Sequence, residues 1–290
     1  MILKDLAPHR SLNEFVQCYR IVHFGFVNAP EPILKAYAPR PEVCLHFFLR
    51  ERELVQLGSG PKRDHKFGIV LAGQQTSVIN RYLLGKDFMT FNIIFQPTAL
   101  FRLTGISSFE LTDKYLDAEL IFSKNIRLIY EQLQNAAGYD QMVLIADRFL
   151  SSLVHNTRKD AHRLDTVTKL MINSGGKVSV DWLADESCLS PKQFTRKFYE
   201  RTGVNPKSYM RIIRFNNAVI MKNAYPERDW LQIAFDCGYF DYQHLVKDYK
   251  DFTKHTPTEF HLLESKSPER ELNLTSEIYR SRAESSFSLA

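Results

Sequence analysis

Two short clusters in the carboxyl-terminal third of this 290-residue chain carry side chains suited to hydrogen-bonding planar, polar edges. The first holds Lys192, Gln193, Thr195, Arg196 and Tyr199. The second, some fifty residues on, holds Tyr242, Gln243, Val246, Lys247 and Lys250. An arginine guanidinium pairs through two N–H groups with guanine, a glutamine amide pairs with adenine, and lysines neutralise phosphate. Each cluster is interleaved with apolar residues four apart, Phe194 and Phe198 in the first and Leu245 and Tyr249 in the second. That spacing puts the apolar pair on one side of a helix and the polar set on the other. A charged helix face alone is usually just a solvated face, so the recurrence of the pattern carries the argument.

Other chemistry is not supported. Nine histidines include no HxH or HExxH spacing, so no metal site is expected, and His23 and His46, in apolar strand-like runs, read as core or surface residues. Ser59, between Gly58 and Gly60, lacks the strand-to-helix context of a hydrolase nucleophile, and "GSGPKR" is no phosphate loop. Cys18, Cys44, Cys188 and Cys237 are far apart with no CxxC, which reads as reduced thiols. With no catalytic constellation, neither an enzyme nor a cofactor is expected.

The elements that position the two clusters form a repeat. In unit one, a short helix over 180–187 turns Leu183 and Ala184 inward, and Ala184 is small enough for a second helix to cross closely. Cys188 and Leu189 make a tight turn. Ser190 serves as N-cap, with Pro191 at the first helical position and the helix running to about residue 201. Gly203 ends it in a left-handed conformation. Unit two repeats this with a helix over 229–236, a turn over 237–240, a cap at Asp241 and a helix over 242–251. Phe198 to Pro206 and Tyr249 to Pro257 are both eight residues. Each unit is a helix-turn-helix, whose second helix enters a major groove. A helix over 206–222, about 25 Å long, joins the two.

The rest of the chain has a different texture. Up to about residue 95 the apolar runs are short and β-prone, at 15–26, 43–48, 67–71, 77–84 and 88–95, with turns at 28–30, 58–61 and 85–87. They predict a sandwich or barrel. Phe24, Phe26, Tyr37, Phe47, Phe48, Phe91 and Phe95 read as its core, with lining of a ligand pocket as the alternative. Helical stripes follow at 119–135 and 141–155, broken near Gly138. The fold class is therefore α+β. A β-sandwich or barrel-like domain with trailing helices spans 1–155, a polar linker 156–163, an all-α domain of two helix-turn-helix units 164–264, and a tail 265–290 that reads as a frayed helix or as disordered. No apolar run approaches a membrane span of about 18 residues, and the start "MILKDLAPHRSLNEFVQCYR" lacks the pattern of an export signal, so the expected location is the cytoplasm.

Charge is uneven. The chain carries 38 Lys and Arg against 33 Asp and Glu, a net of +5. From 190 to 222, eight basic residues meet the single acid Glu200, a local net of +7. From 227 to 264, four basic residues meet eight acids, a local net of −4. Unit one is expected to dominate phosphate contact, and Asp248 and Asp251 to repel phosphate if they face it.

The stretches "VDWLADESCLSPKQFTRKFYERTGVNPKSYMRIIRFNNAVIM" and "LQIAFDCGYFDYQHLVKDYKDFTKHTPTEF" resemble the DNA-binding domain of the AraC/XylS transcription regulators. Leu183-Ala184, Leu189-Ser190, Arg196, Phe198, Gly203, Pro206, Tyr209, Arg214 and Ala218 carry the likeness in unit one, and Ile233-Ala234, Gly238-Tyr239, Pro257 and Phe260 in unit two. Unit two departs with Leu245 for the usual Phe, Lys247 for Arg, Tyr249 for Phe and Lys254 for Gly. The resemblance implies a sequence-specific regulator with double-stranded DNA as partner and the two units in adjacent major grooves. It implies an amino-terminal half that senses a small-molecule effector, forms a homodimer, or both, and it adds RNA polymerase as a further partner. Two rivals stay open: a β-domain enzyme with a helical regulatory part, and a protein-interaction module whose acidic second unit has lost DNA.

Overall fold

The computed structural model describes residues 1–26, 32–57, 60–64, 67–272, 274 and 276–287. The turn expected at 28–30 lies outside them, as do Gly58 and Ser59.

Ten strands form two antiparallel sheets that do not close into a barrel. They are β1 (Ile2–Leu6), β2 (Val16–Gly25), β3 (Ile33–Tyr37), β4 (Val43–Arg50), β5 (Glu53–Leu57), β6 (Arg63–Asp64), β7 (Ile69–Ala72), β8 (Ile79–Leu83), β9 (Asp87–Phe95) and β10 (Tyr115–Asp117). One sheet has the order β1-β2-β9-β4-β7-β10, the other β3-β8-β5-β6. The five apolar runs became β2, β4, β7, β8 and β9. The five strands without such a signal include all four sheet edges, where one partner and partial burial suffice, so shorter and more polar stretches are tolerated.

Strand alternation splits the central strands between two environments. Tyr19 and Ile21 of β2, Leu45 and Phe47 of β4, and Phe91, Ile93 and Phe95 of β9 point one way, into the main core. Arg20, Val22, Phe24, Cys44, His46, Phe88, Thr90, Asn92 and Ile94 point the other way, toward the second sheet. The helices α1 (Ala99–Thr104), α2 (Glu119–Phe122), α3 (Ile126–Gln134) and α4 (Tyr139–His155) cover the first face and supply Leu100, Ile126, Leu133, Ala146 and Leu150 to the core. The single stripe expected at 119–135 is two helices, divided at Ser123, whose φ of 65° interrupts the helix.

A short connection follows, in which Arg158 and Lys159 both donate their backbone N–H to the carbonyl of Arg102. Then come α5 (Arg163–Asn173), α6 (Val180–Glu186), α7 (Pro191–Thr202), α8 (Pro206–Ala224), α9 (Trp230–Asp236), α10 (Tyr242–Thr253) and α11 (Pro257–Glu264). Leu183, Ala184, Phe194, Phe198, Tyr209 and Ile213 form the core of unit one. Phe215, Ala218, Ile233, Ala234, Leu245, Tyr249 and Phe260 form that of unit two. Helix α8 contributes to both cores, as a rod of 19 residues must if it is to fix one unit against the other. The segment read as a frayed helix or disordered tail contains two helices, α12 (Pro268–Glu271) and α13 (Ser276–Phe287), and Tyr279 and Ala283 of α13 are buried against Ile220 and Ala224 of α8. The docking of α13 lies beyond what the sequence expresses locally, because its partners are some sixty residues away, where no periodicity reports them. No helix among the described residues is long and apolar enough to cross a membrane.

Candidate nucleic-acid interface

Helix α7 begins at Ser190, whose hydroxyl accepts from the N–H of Gln193, with Pro191 at the first helical position. Phe194 and Phe198 are fully buried, and that burial fixes which face is free. Lys192, Gln193, Thr195 and Arg196 are all exposed, and neither Lys192 nor Arg196 forms an ion pair among the described residues. Gln193 also closes the cap, its Oε1 accepting from the N–H and the hydroxyl of Ser190 at 3.1 and 3.0 Å. Its Nε2 is free to donate, but a two-bond pairing with adenine requires Gln193 to leave the cap. Tyr199, at 44% exposure, lies on the side of α7 that meets the β-domain, where its ring stacks on Phe109 with centroids 5.5 Å apart.

Helix α10 is built the same way. Asp241 caps it by accepting from the N–H of His244, and Leu245 and Tyr249 are buried. Gln243, Lys247 and Lys250 are exposed, while Tyr242 and Val246 are half-buried. From Ile233 to Leu245 is one residue longer than from Leu183 to Phe194, and the extra position in the turn is Phe240. It is 85% exposed, the most exposed large apolar side chain among the described residues, and its ring meets His244 edge-on. The repeat's unequal spacing is the sequence signal that marks it.

The charge asymmetry changes meaning in three dimensions. Asp248 does not face outward: it is 5% exposed and accepts from Arg211 Nε and Nη2 at 2.9 and 2.6 Å and from the Tyr239 hydroxyl at 3.1 Å. Asp251 takes the same Arg211 at 2.6 Å. Arg211 belongs to the basic stretch, so the +7 and −4 regions partly neutralise each other. Arg201 is likewise paired to Asp165 at 3.0 Å, and Arg214 donates to the Gly176 carbonyl. Asp229, Asp241 and Glu259 serve as helix caps, and Glu264 is buried against Asn223. The exposed faces of the two second helices thus offer Lys192 and Arg196 from α7 against Lys247 and Lys250 from α10, a near match.

A second site lies between the two sheets of the β-domain, a cavity of about 70 Å³. Its walls join apolar Phe24, Leu83 and Phe88 to a polar set from both sheets. Arg20 pairs with Asp5 and Glu42 at 2.8 and 3.0 Å, and Arg81 lies 3.5 Å from Glu53. His46 uses both ring nitrogens, with Nδ1 2.6 Å from Asn92 Oδ1 and Nε2 3.2 Å from Arg81 Nη2. Arg81 can only donate, so Nε2 accepts and Nδ1 carries the proton. Burial, and then the Arg81 charge, push the imidazole down to about 3 and keep it neutral. Both carboxylate oxygens of Glu53 and Nε of Arg81 are buried without hydrogen-bond partners, so the cavity has donor and acceptor capacity to spare. Of the aromatics read as core or pocket, Phe24 and Tyr37 line this cavity, while Phe47, Phe91 and Phe95 sit in the main core. Arg20, Glu42, Glu53 and Arg81 were not anticipated, although charged residues inside strand runs such as "YRIVHF" are the available clue. No cluster of metal-ligating side chains occurs among the described residues.

Comparison with known proteins agrees with this architecture. A helix-turn-helix domain family of the AraC type matches residues 183–262, and a domain of unknown function, DUF6597, matches residues 4–117. No match is found among curated proteins. A structure of ToxT from Vibrio cholerae aligns over 84% of this chain and 98% of its own, with 11% identity and a TM-score of 0.50, a likeness of fold. ToxT with a bound unsaturated fatty acid aligns over 84% and 95%, with 12% identity and a TM-score of 0.47. The transcriptional regulator CdpR from Pseudomonas aeruginosa aligns over 62% and 47%, with 15% identity and a TM-score of 0.31. Two helix-turn-helix units on one rod, matched by an AraC-type domain and preceded by a DUF6597 domain, mark this chain as a DNA-binding transcription regulator with an AraC-type helix-turn-helix domain.

Proposed function

We propose that the chain controls promoter occupancy by seating α7 and α10 in adjacent major grooves of a duplex site. The observation that carries this reading is that both helices bury an equivalent aromatic or aliphatic pair and leave an equivalent basic, amide-bearing face free. Lys192, Thr195 and Arg196 read and grip the first half-site, with Gln193 joining once it leaves its cap. Gln243 and Lys247 do so in the second, Lys250 meets phosphate, and Tyr242, Val246 and Phe240 supply apolar contact to thymine methyl groups or sugars. Tyr199 connects α7 to the β-domain through Phe109, so whatever shifts the β-domain shifts a recognition helix. A small polar effector in the inter-sheet cavity supplies that shift, and the exposed Leu128 and Leu144 of α3 and α4 offer a face for a second copy of the chain.

Selection of bound sequences from a random duplex library with the full chain tests this. A two-part site is expected. Arg196→Ala and Lys247→Ala should each weaken binding about 5- to 150-fold, the range for losing about 1–3 kcal/mol of base contact, with relaxed preference in different halves. Both variants binding the selected site as the wild type does would sink the assignment.

A further inference from the structure

We propose that residues 268–287 act as a removable strap, an intramolecular ligand that closes the mouth of the β-domain and ties it to α8. The surface it occupies is a binding site for a leucine-bearing peptide anchored by one buried carboxylate and two arginines, and its natural occupant is the chain's own segment 268–287. The inference concerns how the domains are held and stands whether or not the DNA contacts above are assigned correctly.

The strap makes contacts along its length. Glu269, 3% exposed, is paired with Lys35, whose ammonium also lies 4.9 Å from the ring centre of Tyr37. Leu272 and Leu274 pack on the cluster of Phe24, Phe48, Val70, Leu83 and Phe88. Phe24, Leu83 and Phe88 line the inter-sheet cavity, as does Lys35, so the strap and the cavity share walls. Arg270 donates to Asn223 of α8, and Asn223 donates in turn to Glu264 at 3.0 Å. Tyr279 and Ala283 of α13 then bury themselves against Ile220 and Ala224 of α8. Finally Arg282 donates to Asp5 of β1 at 2.7 Å. One segment therefore grips the cavity mouth, the rod that carries both helix-turn-helix units, and the edge of the larger sheet.

Two physical features make it removable. A 12-residue helix of mixed polar sequence is marginal by itself, so α13 depends on docking for its order. No described residue of the segment belongs to the core of either helix-turn-helix unit, so its release leaves both cores packed. One oxygen of Glu269 is buried without a partner, which weakens the docked state further.

The test uses the full chain carrying Glu269→Lys and Arg282→Glu together, which reverses both charged anchors. Hydrogen exchange is read at 276–287, at the joint between domains (107–112 and 199–203), and in the sheet core. The expected result is exchange faster by about tenfold or more at 276–287 and at the joint, with the β2, β4 and β9 amides unchanged. Retained protection at 276–287, or its loss with no change at the joint, overturns the proposal. If the double variant does not fold, a protease site placed at the exposed Ser265–Lys266 link of the folded chain serves instead. Cleavage should then release the segment, lower protection at the joint, and be reversed by added synthetic peptide 266–290. A cleaved chain whose joint keeps its protection overturns the proposal equally.

Discussion

His46 shows how one residue's surroundings set a property of the whole domain. Its imidazole is neutral because it is buried and faces the Arg81 guanidinium, and its neutral form is the one that satisfies both Asn92 and Arg81. In the unfolded chain the same ring titrates near 6.5. Between that value and about 3 the unfolded chain holds the extra proton, so the contribution of His46 is complete above about pH 6.5 and declines as pH falls. His261, pushed down to about 4 by burial and then by Arg270 and Lys222, adds in the same direction. Thermal unfolding followed between pH 7 and 5 should show a falling melting temperature, and His46→Gln should flatten that slope without removing it. An unchanged slope would show that the ring is not the titrating group.

Among the elements, the second helices of the two helix-turn-helix units end differently. Helix α7 ends at Gly203 with φ 86°, and α10 at Lys254 with φ 66°. A side chain at positive φ costs about 1 kcal/mol relative to glycine. Lys254→Gly is therefore expected to stabilise the chain by about 1 kcal/mol, read from denaturant unfolding, less what the unfolded chain gains in freedom. Gly203 admits no such exchange in reverse. A Cβ there would lie 2.4 Å from the Thr112 hydroxyl oxygen and 2.8 Å from the Ser108 carbonyl, so it is held by the neighbouring domain as well as by its own φ. The Arg211 bridge to Asp248 and Asp251 similarly joins α8 to α10, turning charges that look opposed along the chain into a brace between elements.

At the scale of the whole molecule, the β-domain holds both units. It grips unit one through the 107–112 turn, where the Ser108 and Thr112 hydroxyls donate to the Arg201 and Gly203 carbonyls, each at 2.8 Å, and Phe109 stacks on Tyr199. It holds unit two through the Val78 N–H, which donates to the Phe252 carbonyl at 2.7 Å, and through Ala36, Ala38 and Val78 packed into that unit's core. The spacing of α7 and α10 thus depends on the β-domain as well as on α8. Phe109→Ala should remove a stack worth about 0.5–1.5 kcal/mol and leave α7 intact. Faster hydrogen exchange at 199–203 together with altered affinity for the selected duplex is the expected outcome. Altered exchange with unchanged affinity would separate the joint from DNA binding.

Both helix-turn-helix units were legible in the sequence because their information is local: Phe194 and Phe198 four apart, Ser190 before Pro191, Asp241 before an apolar-periodic run. The central strands were legible for the same reason. Helix caps and i, i+4 pairs act within a single turn, so residue order alone expresses them. What only the tertiary structure decided depends on partners far apart in the chain. Asp248 meets Arg211, Tyr199 meets Phe109, Glu269 meets Lys35, and Arg20, His46, Arg81 and Asn92 converge from four strands on one cavity. Local periodicity carries no trace of such pairings, because they are selected by packing and by the cost of burying an unpaired charge. The sequence thus determined where the two helix-turn-helix units lie, and the tertiary structure decided which of their charges stay exposed and which are paired within the fold.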